Sequence, residues 1–564
     1  MPSHRNRTLA VWFALFALAI ASVAAAEDEP LGLPPEVPDD PPGIPAQPLA
    51  DAKAATIVSF GRFTHYQVNV SAGGANIPGD AANEPSIAVH PFDHNLMAIG
   101  WRQFDTVSSN FRQAGFGYTT NAGLSWTAGK INPGVFRSDP VLAVDAEGDF
   151  FYNSLMGNLT SQVFPSTNAG QTWGASVSAF GGDKQWMTVD RTGGVGNNFF
   201  YQAWSTASNP TPPNTFNRSI NDGASWQSPV SIPSSPVWGT LDVASDGTLY
   251  IVGTEGPGGA IYVSRSTNAK NSGVTPTFTT TTVDLGGTIL TGAPNPAGLL
   301  GQLWIGVDRS NGPRAGWVYV LASVERPFDP LDVMFIRSTD GGQTWSTPVR
   351  VNGDPGTSAF QWFGTMSVAP NGRIDAVWND TRGSLNNNVS ALYYSFSLDG
   401  GVTWSANEQA SPTWSSNVGY PNQSKIGDYY HMVSDNTGAD LAWAATFNNE
   451  QDVYYVRLSP PGAVAVEPGV APAFRLHAGL PNPFTAFTDI RFDVPPGGAR
   501  VALQVFDLTG HRVATLVDGF REGGAQQVRW AGRDDSGRDV VPGVYLYRYA
   551  TSGHAETRKL ILLR

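Results

Sequence analysis

The chain of 564 residues contains no cysteine. Disulfide bonds, thiolate nucleophiles, thiolate metal sites and a lipid-modified cysteine are therefore excluded, so packing and hydrogen bonding must stabilise the fold. Charged residues are also few, at 14%, and their balance gives a net charge of −13. This balance disfavours nucleic-acid binding, because phosphates require a basic patch.

Recognisable metal-ligand patterns are lacking as well. His90, His94 and His431 have no spacing typical of a metal site. Two acidic stretches, 145–149 and 533–537, resemble calcium loops only loosely and fit hairpin turns better. We therefore predict neither a metal nor a cofactor.

Long apolar runs are absent except at the N-terminus. There, basic Arg5 and Arg7 precede an apolar run over 9–20 and small residues at 24–26. This order predicts a signal peptide over residues 1–26. The alternative is an uncleaved anchor, since the uncharged run 8–26 is just long enough to span a bilayer. We expect no membrane span after signal cleavage.

The sequence is rich in residues of turns and compact cores, with 62 glycines, 42 prolines and 17 tryptophans. This composition indicates an all-β protein of many short strands, and the length indicates more than one domain. Pro-rich segments predict linkers at 27–54 and 461–473. They separate a repetitive region, 55–460, from a final domain, 474–564.

An eight-residue motif, Ser/Thr-x-Asp/Asn-x-Gly-x-Ser/Thr-Trp, recurs through the repetitive region. Five copies occupy 119–126, 166–173, 219–226, 338–345 and 397–404, and a decayed copy begins at 266. The Asp/Asn side chain can accept turn N–H groups, glycine permits positive φ, and tryptophan buries an apolar face. We therefore assign a structural role to the residues at the third position: Asn121, Asn168, Asn221, Asp340 and Asp399.

These motifs resemble the Asp-box, or BNR, repeats of the sialidase superfamily, which implies a β-propeller with each box between the third and fourth strands of a blade. Seven apolar strand pairs recur between residues 86 and 443. We therefore predict seven blades, with six as the alternative if one pair belongs to an insertion. The stretch 63–70 alternates polar and apolar residues, and we expect it to supply the missing outer strand of the last blade.

The final domain contains Leu-Pro-Asn-Pro-Phe at 480–484, a strand at 502–507 and Pro-Gly-Val-Tyr-Leu-Tyr-Arg at 542–548. In motif order it resembles the type A sorting domain of the type IX secretion system, a small Ig-like β-sandwich similar to the FlgD-type domain. The resemblance implies that residues 474–564 engage the type IX secretion machinery. It also implies that the protein is secreted or held on the outer surface of a Gram-negative bacterium. The alternative is a generic Ig-like spacer.

Propeller ligand sites lie on the face where first strands begin and second strands end. Projecting the repeats onto that face gives a candidate ligand-site rim rich in charge. Its members are Glu84, Arg102, Asp139, Asp183, Lys184, Glu255, Arg326, Asp380, Arg382, Asp428 and Tyr429. They could bind a polar ligand or serve acid/base chemistry. The alternative is that they cap strand ends and pair with one another.

Three functions remain open. The leading hypothesis is a propeller that binds an extracellular glycan or glycoprotein, with Trp101, Trp204 and Trp378 as possible stacking surfaces or core residues. The second is a sialidase-like exo-glycoside hydrolase, although the Arg-Ile-Pro motif of that family is missing and no catalytic residue can be assigned. The third is a non-catalytic adhesion or scaffold module. Burial of the rim charges in ion pairs would favour this third hypothesis.

Overall fold

The computed structural model describes residues 54–206, 209–421, 423–461, 475–479, 481–494, 499–521, 524–551 and 555–563. The predicted signal peptide, nearly all of the first linker and most of the second therefore lie outside the described residues. All regular elements within these ranges are strands paired in antiparallel sheets, which confirms the all-β prediction. The same ranges contain no helix with the length and hydrophobicity of a membrane span.

The region up to residue 461 forms consecutive sheets. The chain opens with β1 (Ile57–Phe60) and β2 (Phe63–Gln67). Three sheets follow: β3 (Ala81–Val89), β4 (Met97–Phe104), β5 (Arg112–Thr119) and β6 (Thr127–Ile131); β7 (Arg137–Val144), β8 (Phe150–Met156), β9 (Ser161–Ser166) and β10 (Val177–Ser178); β11 (Trp186–Val189), β12 (Phe200–Ala203) and β13 (Phe216–Ser219).

The next strands form a fourth sheet, a separate hairpin and three further sheets. They are β14 (Leu241–Val243), β15 (Leu249–Thr254), β16 (Ile261–Ser266) and β17 (Thr279–Val283); the hairpin β18 (Thr291–Gly292) and β19 (Asn295–Leu299); β20 (Trp304–Val307), β21 (Val318–Arg326), β22 (Asp329–Ser338) and β23 (Val349–Arg350); β24 (Gln361–Val368), β25 (Ile374–Asp380), β26 (Val389–Ser397), β27 (Glu408–Gln409) and β28 (Trp414–Ser415); and β29 (His431–Ser434), β30 (Ala439–Ala445) and β31 (Asp452–Leu458).

The first strands of these seven sheets contact one another in a cycle. β3 contacts β7, and the contacts continue through β11, β14, β20 and β24 to β29, which contacts β3 again. Side chains on one first strand often accept N–H groups from the next. Ser86 Oγ accepts from Leu142 N at 2.9 Å, and Asp242 Oδ2 accepts from Val307 N at 2.8 Å. This cyclic order is consistent with a propeller-like fold.

The N-terminal strands belong to the last sheet. β2 pairs with β31, with Tyr66 opposite Tyr455, and β1 forms the outer edge. The strand predicted at 63–70 therefore does complete the last sheet, and it joins the two ends of the repetitive region.

The five eight-residue repeats form turns that follow the third strand of their sheets. In the fourth copy, Ser338 Oγ accepts from Gly342 N at 2.8 Å, and Asp340 Oδ1 accepts from Thr344 N at 2.9 Å. In the first copy, Gly123 has φ +83°, and Trp126 packs against Tyr455 with ring centroids 5.5 Å apart. Each repeat thus closes its own turn, and the first also packs onto the last sheet.

The C-terminal region forms two further sheets around a shared core. The first contains β32 (Arg475–Leu476), β33 (Thr488–Val494) and β36 (Gly524–Trp530). The second contains β34 (Ala499–Phe506), β35 (Arg512–Arg521), β37 (Gly543–Ala550) and β38 (Ala555–Leu562). Phe492, Leu503, Trp530 and Tyr547 meet in their common core.

Candidate functional site

A buried group of ion pairs lies where the first strands begin. We call it the charge cluster and define it as Glu84, Arg102, Asp139, Asp183, Lys184, Lys425 and Asp428. Lys184 Nζ lies 2.5 Å from Asp428 Oδ2, and Lys425 Nζ lies 2.7 Å from the same oxygen. Glu84 pairs with Lys425 at 3.2 Å and with Arg102 at 3.1 Å. Six of these seven residues were predicted from the sequence, whereas Lys425 was missed.

Backbone and hydroxyl groups complete the charge cluster. Asp139 accepts the Lys184 N–H at 2.9 Å and the Ser138 hydroxyl at 2.8 Å. Tyr429 is also buried and donates its hydroxyl to the carbonyl of Pro140 at 2.9 Å. The predicted tyrosine therefore bonds to backbone beside the cluster.

Burial and charge act against each other in the charge cluster. Burial raises the pKa of Glu84 to about 7, although Arg102 and Lys425 oppose the shift. Burial would also raise the pKa of Asp428, but Lys184 and Lys425 hold it well below its usual range. Asp428 is therefore a permanent anion at neutral pH, matched by two cations.

The separate hairpin β18–β19 covers the charge cluster. Leu299 N donates to Asp428 Oδ1 at 2.8 Å. Asn295 donates through Nδ2 to Gly427 O at 2.8 Å, and its Oδ1 accepts from Ile426 N at 2.9 Å. This inserted hairpin therefore helps to keep the cluster out of solvent.

Three of the remaining rim residues belong to a second, partly buried network. Arg382 pairs with Asp380 at 2.6 Å and lies 4.3 Å over the Tyr393 ring. Arg326 pairs with Asp332 at 2.7 Å. Glu255 is exposed and accepts a hydrogen bond from the Tyr262 hydroxyl. Eight of the eleven predicted rim residues are buried.

The three tryptophans weighed as sugar-stacking surfaces lie in the core. Trp101, Trp204 and Trp378 are at most 2% exposed. Trp101 Nε1 donates to Gln103 at 2.7 Å, and Trp378 Nε1 donates to Asp380 at 2.8 Å. Of the two interpretations, the structure supports the core one.

One histidine and two aspartates, His94, Asp435 and Asp440, lie close enough together to ligate a metal ion. The Arg457 guanidinium donates to Asp435 at 2.6 Å and to Asp440 at 2.7 Å, and it also contacts His94 at 3.1 Å. Arginine therefore already supplies the positive charge that these carboxylates need.

A cavity of about 650 Å³ opens at the other end of the first strands. We call it the funnel. Its wall includes a valine from six of the seven sheets: Val89, Val144, Val189, Val243, Val368 and Val433. The funnel is the principal site feature that the sequence-based projection missed, because that projection considered the opposite face.

Aromatic rings form the floor of the funnel and separate it from the charge cluster. Trp304 stacks on His431 with centroids 5.7 Å apart, and Trp186 meets both rings edge-on at 5.2 Å. Trp186 also contacts Tyr429, whose other side faces the cluster. Burial lowers the pKa of His431 to about 3, so this ring is neutral at physiological pH.

Arginines lie at the mouth of the funnel. Arg191 and Arg309 each follow a first strand in the sequence Val-Asp-Arg, at 189–191 and 307–309. Arg475 and Arg558 reach the same cavity from the C-terminal sheets, and Arg475 lies 3.5 Å over the Phe92 ring. The repeated Val-Asp-Arg is the sequence signal that could have indicated this face.

Comparison with solved structures finds matches at low identity and low TM-score. No protein-family model matches the chain. No curated protein matches it either. A fungal alcohol oxidase of the AA5 family, solved with copper, is 12% identical over 90% of this chain and 100% of its own, with a TM-score of 0.44. The surface component PorZ of the Porphyromonas gingivalis type IX secretion system is 11% identical over 93% and 76%, with a TM-score of 0.30. Trypanosoma rangeli sialidase is 11% identical over 87% and 86%, with a TM-score of 0.31.

Proposed function

We propose that this chain is a secreted or surface-held, seven-bladed Asp-box propeller that binds an extracellular glycan or glycoprotein in the funnel. The observation that carries this proposal is the funnel itself, a cavity of about 650 Å³ with aromatic rings at its floor. Ligand sites in proteins are usually concave, largely apolar and supplied with a few polar groups. Trp304 and Trp186 are each only 4% exposed, so they close the floor, and the valines of the wall supply the apolar surface that a sugar ring would contact.

The burial of the charge cluster argues against hydrolysis on the face of the chain opposite the funnel. A general acid or nucleophile must reach the substrate within hydrogen-bonding distance. Glu84 and Asp428 are fully buried, paired with cations and covered by the β18–β19 hairpin. We therefore assign the cluster a structural role. For this face of the chain, its burial favours the third sequence-based hypothesis, a non-catalytic adhesion or scaffold module.

The export route is part of the same proposal. We infer a signal peptide over 1–26 and recognition of residues 474–564 by the type IX secretion machinery. Support comes from the motif order of the final segment and from its two sheets packed on one core. On this proposal the propeller lies outside the cell, where glycans are available.

The proposal is tested by ligand retention on the full chain. A panel of neutral and acidic glycans is incubated with the protein, and mass spectrometry reads bound and cleaved material together. Thr188 is partly buried and lines the funnel, so Thr188→Trp should obstruct the cavity near its floor and weaken retention strongly. Thr282→Trp, on the exposed face of outer strand β17, is the matched control and should retain ligand. Retention by both variants would refute the funnel site, and turnover would refute the non-catalytic role.

A further inference from the structure

The funnel mouth is positively charged in a protein with a net charge of −13. Four arginines line the cavity, Arg191, Arg309, Arg475 and Arg558, against two carboxylates, Glu147 and Asp242. Asp242 is already engaged by Arg309, which also donates to Val243 O at 2.7 Å. The lining therefore carries more cationic than anionic groups, opposite to the surface average.

Equivalent turns position Arg191 and Arg309, the two funnel arginines that follow first strands. Asp190 Oδ1 accepts from Thr192 N at 2.9 Å, and Asp308 Oδ1 accepts from Ser310 N at 2.9 Å. Each aspartate thus fixes the turn on which the following arginine sits. The same turn forms at Asp145 and Asp435, so the turn belongs to the repeat, and the arginine that follows it in two of the sheets is the added feature.

Arg191 is available to a ligand. Its side chain reaches solvent, and it has no hydrogen bond or ion pair to another described residue. Desolvation by the surrounding protein atoms, followed by repulsion from the nearby Arg309, lowers the pKa of Arg191 to about 10. It remains a cation at neutral pH, and an anionic ligand would oppose both effects by stabilising the charged form.

The C-terminal sheets complete this surface. Strand β32, which carries Arg475, contacts strand β38, which carries Arg558. Phe92, in the loop that follows β3, packs against Arg475. His477 packs edge-on against the same Phe92 ring, with centroids 5.9 Å apart. The funnel mouth is therefore built by both parts of the chain.

We propose that the funnel selects acidic glycans, and that Arg191 from the propeller and Arg558 from the C-terminal domain bind their anionic groups together. This inference rests on the proposed function and names its ligand class. Arginine suits the recognition because its planar fork can donate two parallel hydrogen bonds to a carboxylate or a sulfate ester. The apolar wall above the aromatic floor would contact the sugar ring while the arginines hold its acidic substituents.

The test is isothermal titration of the full chain with three trisaccharides at one ionic strength. The probes are trigalacturonic acid, a sulfated maltotriose and neutral maltotriose. We expect at least one acidic probe to bind about tenfold or more tightly than the neutral probe, because one charge-assisted hydrogen bond contributes roughly that factor. The acidic probe that binds more tightly identifies carboxylate or sulfate as the group recognised.

Variants locate the interaction. Arg191→Gln and Arg558→Gln should each weaken acidic binding about tenfold and weaken neutral binding clearly less. Arg62→Gln is the matched control, since Arg62 pairs with Glu408 elsewhere. Equal affinity for acidic and neutral probes would overturn the selectivity and leave the proposed function intact. Loss in Arg191→Gln alone would overturn the two-domain site, and no binding of any probe would overturn the inference and count against the proposed function.

Discussion

Nζ of Lys184 lies 2.5 Å from Oδ2 of Asp428, across 244 residues of sequence, with the two side chains 4% and 0% exposed. The pair joins the start of the third sheet to the start of the last. Burial would lower the pKa of Lys184, but Asp428 and Asp139 raise it well above its usual value. The two charges therefore depend on each other, and they couple the third sheet of the cycle to the last.

Removing one member of this pair should be costly. Lys184→Met leaves Asp428 and Asp139 buried with less compensation, and we expect a loss of about 3–5 kcal/mol in the free energy of unfolding. Lys130→Met breaks a more exposed pair with Asp105 and should cost less than about 1 kcal/mol. Urea denaturation measures both variants. Equal losses would show that the charge cluster has no special structural role.

The turn at Gly123 should not tolerate a side chain. Its φ is +83°, and an added Cβ would lie 2.1 Å from Cε1 of Tyr455 on the last sheet. Backbone strain and the clash together should cost about 2–4 kcal/mol in Gly123→Ala. Gly134 has φ +82° with open space around it, so Gly134→Ala should cost only about 1 kcal/mol. Thermal unfolding of both variants separates the clash from the strain, and similar melting temperatures would contradict the packing described.

The N-terminal strand should be essential to the last sheet. Tyr66 lies on β2, between β1 and β31, so Tyr66→Pro removes an N–H from the sheet interior and should cost about 3 kcal/mol or more. Ile57→Pro changes the first and exposed residue of the outer edge strand β1, where proline is better tolerated, and should cost clearly less. Chemical denaturation compares the two variants. The reverse order would mean that β2 does not close the sheet in solution.

Stability should fall as the pH rises from about 4 to about 7, in part because of Asp145. Burial, followed by repulsion from Asp222, raises the pKa of Asp145 to about 7 in the folded chain. Because the folded chain holds this proton more tightly than the unfolded chain, the stabilisation is complete below the unfolded pKa near 4. It is lost as the pH rises to the folded pKa near 7. The Oδ1 atom of Asp145 accepts from Gly148 N at 2.7 Å, and asparagine can keep that bond.

Asp145→Asn should therefore flatten the pH dependence and raise stability at pH 7 by about 1–3 kcal/mol relative to the parent protein. Urea titrations at pH 4, 5.5 and 7 provide the comparison. An unchanged slope in the variant would show that Asp145 is not the buried acid responsible.

Much of the fold could be predicted because its signals are local and repeated. The strand pair predicted at 86–101 became β3 and β4, and the alternating stretch 63–70 joined the last sheet. The same regularity brought Glu84, Asp139, Lys184 and Asp428 to one face. The local pattern indicates which residues precede or begin the first strand of each sheet. The cyclic order of the sheets then brings these residues together.

Burial of that face could not be predicted from the same patterns. The covering hairpin depends on Asn295 and Leu299, which lie in a segment without strand-like alternation. Lys425 precedes its strand in an irregular segment, so no repeat marked it. The funnel depends on how far seven sheets leave their axis open, a tertiary property that strand periodicity does not encode.

The most direct test of the funnel as the ligand site is carbene footprinting of the full chain with a retained glycan, read by mass spectrometry. We expect protection of the funnel segments 87–92, 142–147 and 186–193, with the covering hairpin 291–299 labelled as in the free protein. Protection of that hairpin and of residues 102–105, with unchanged labelling in the funnel, would rule out the funnel and return the ligand site to the face of the charge cluster.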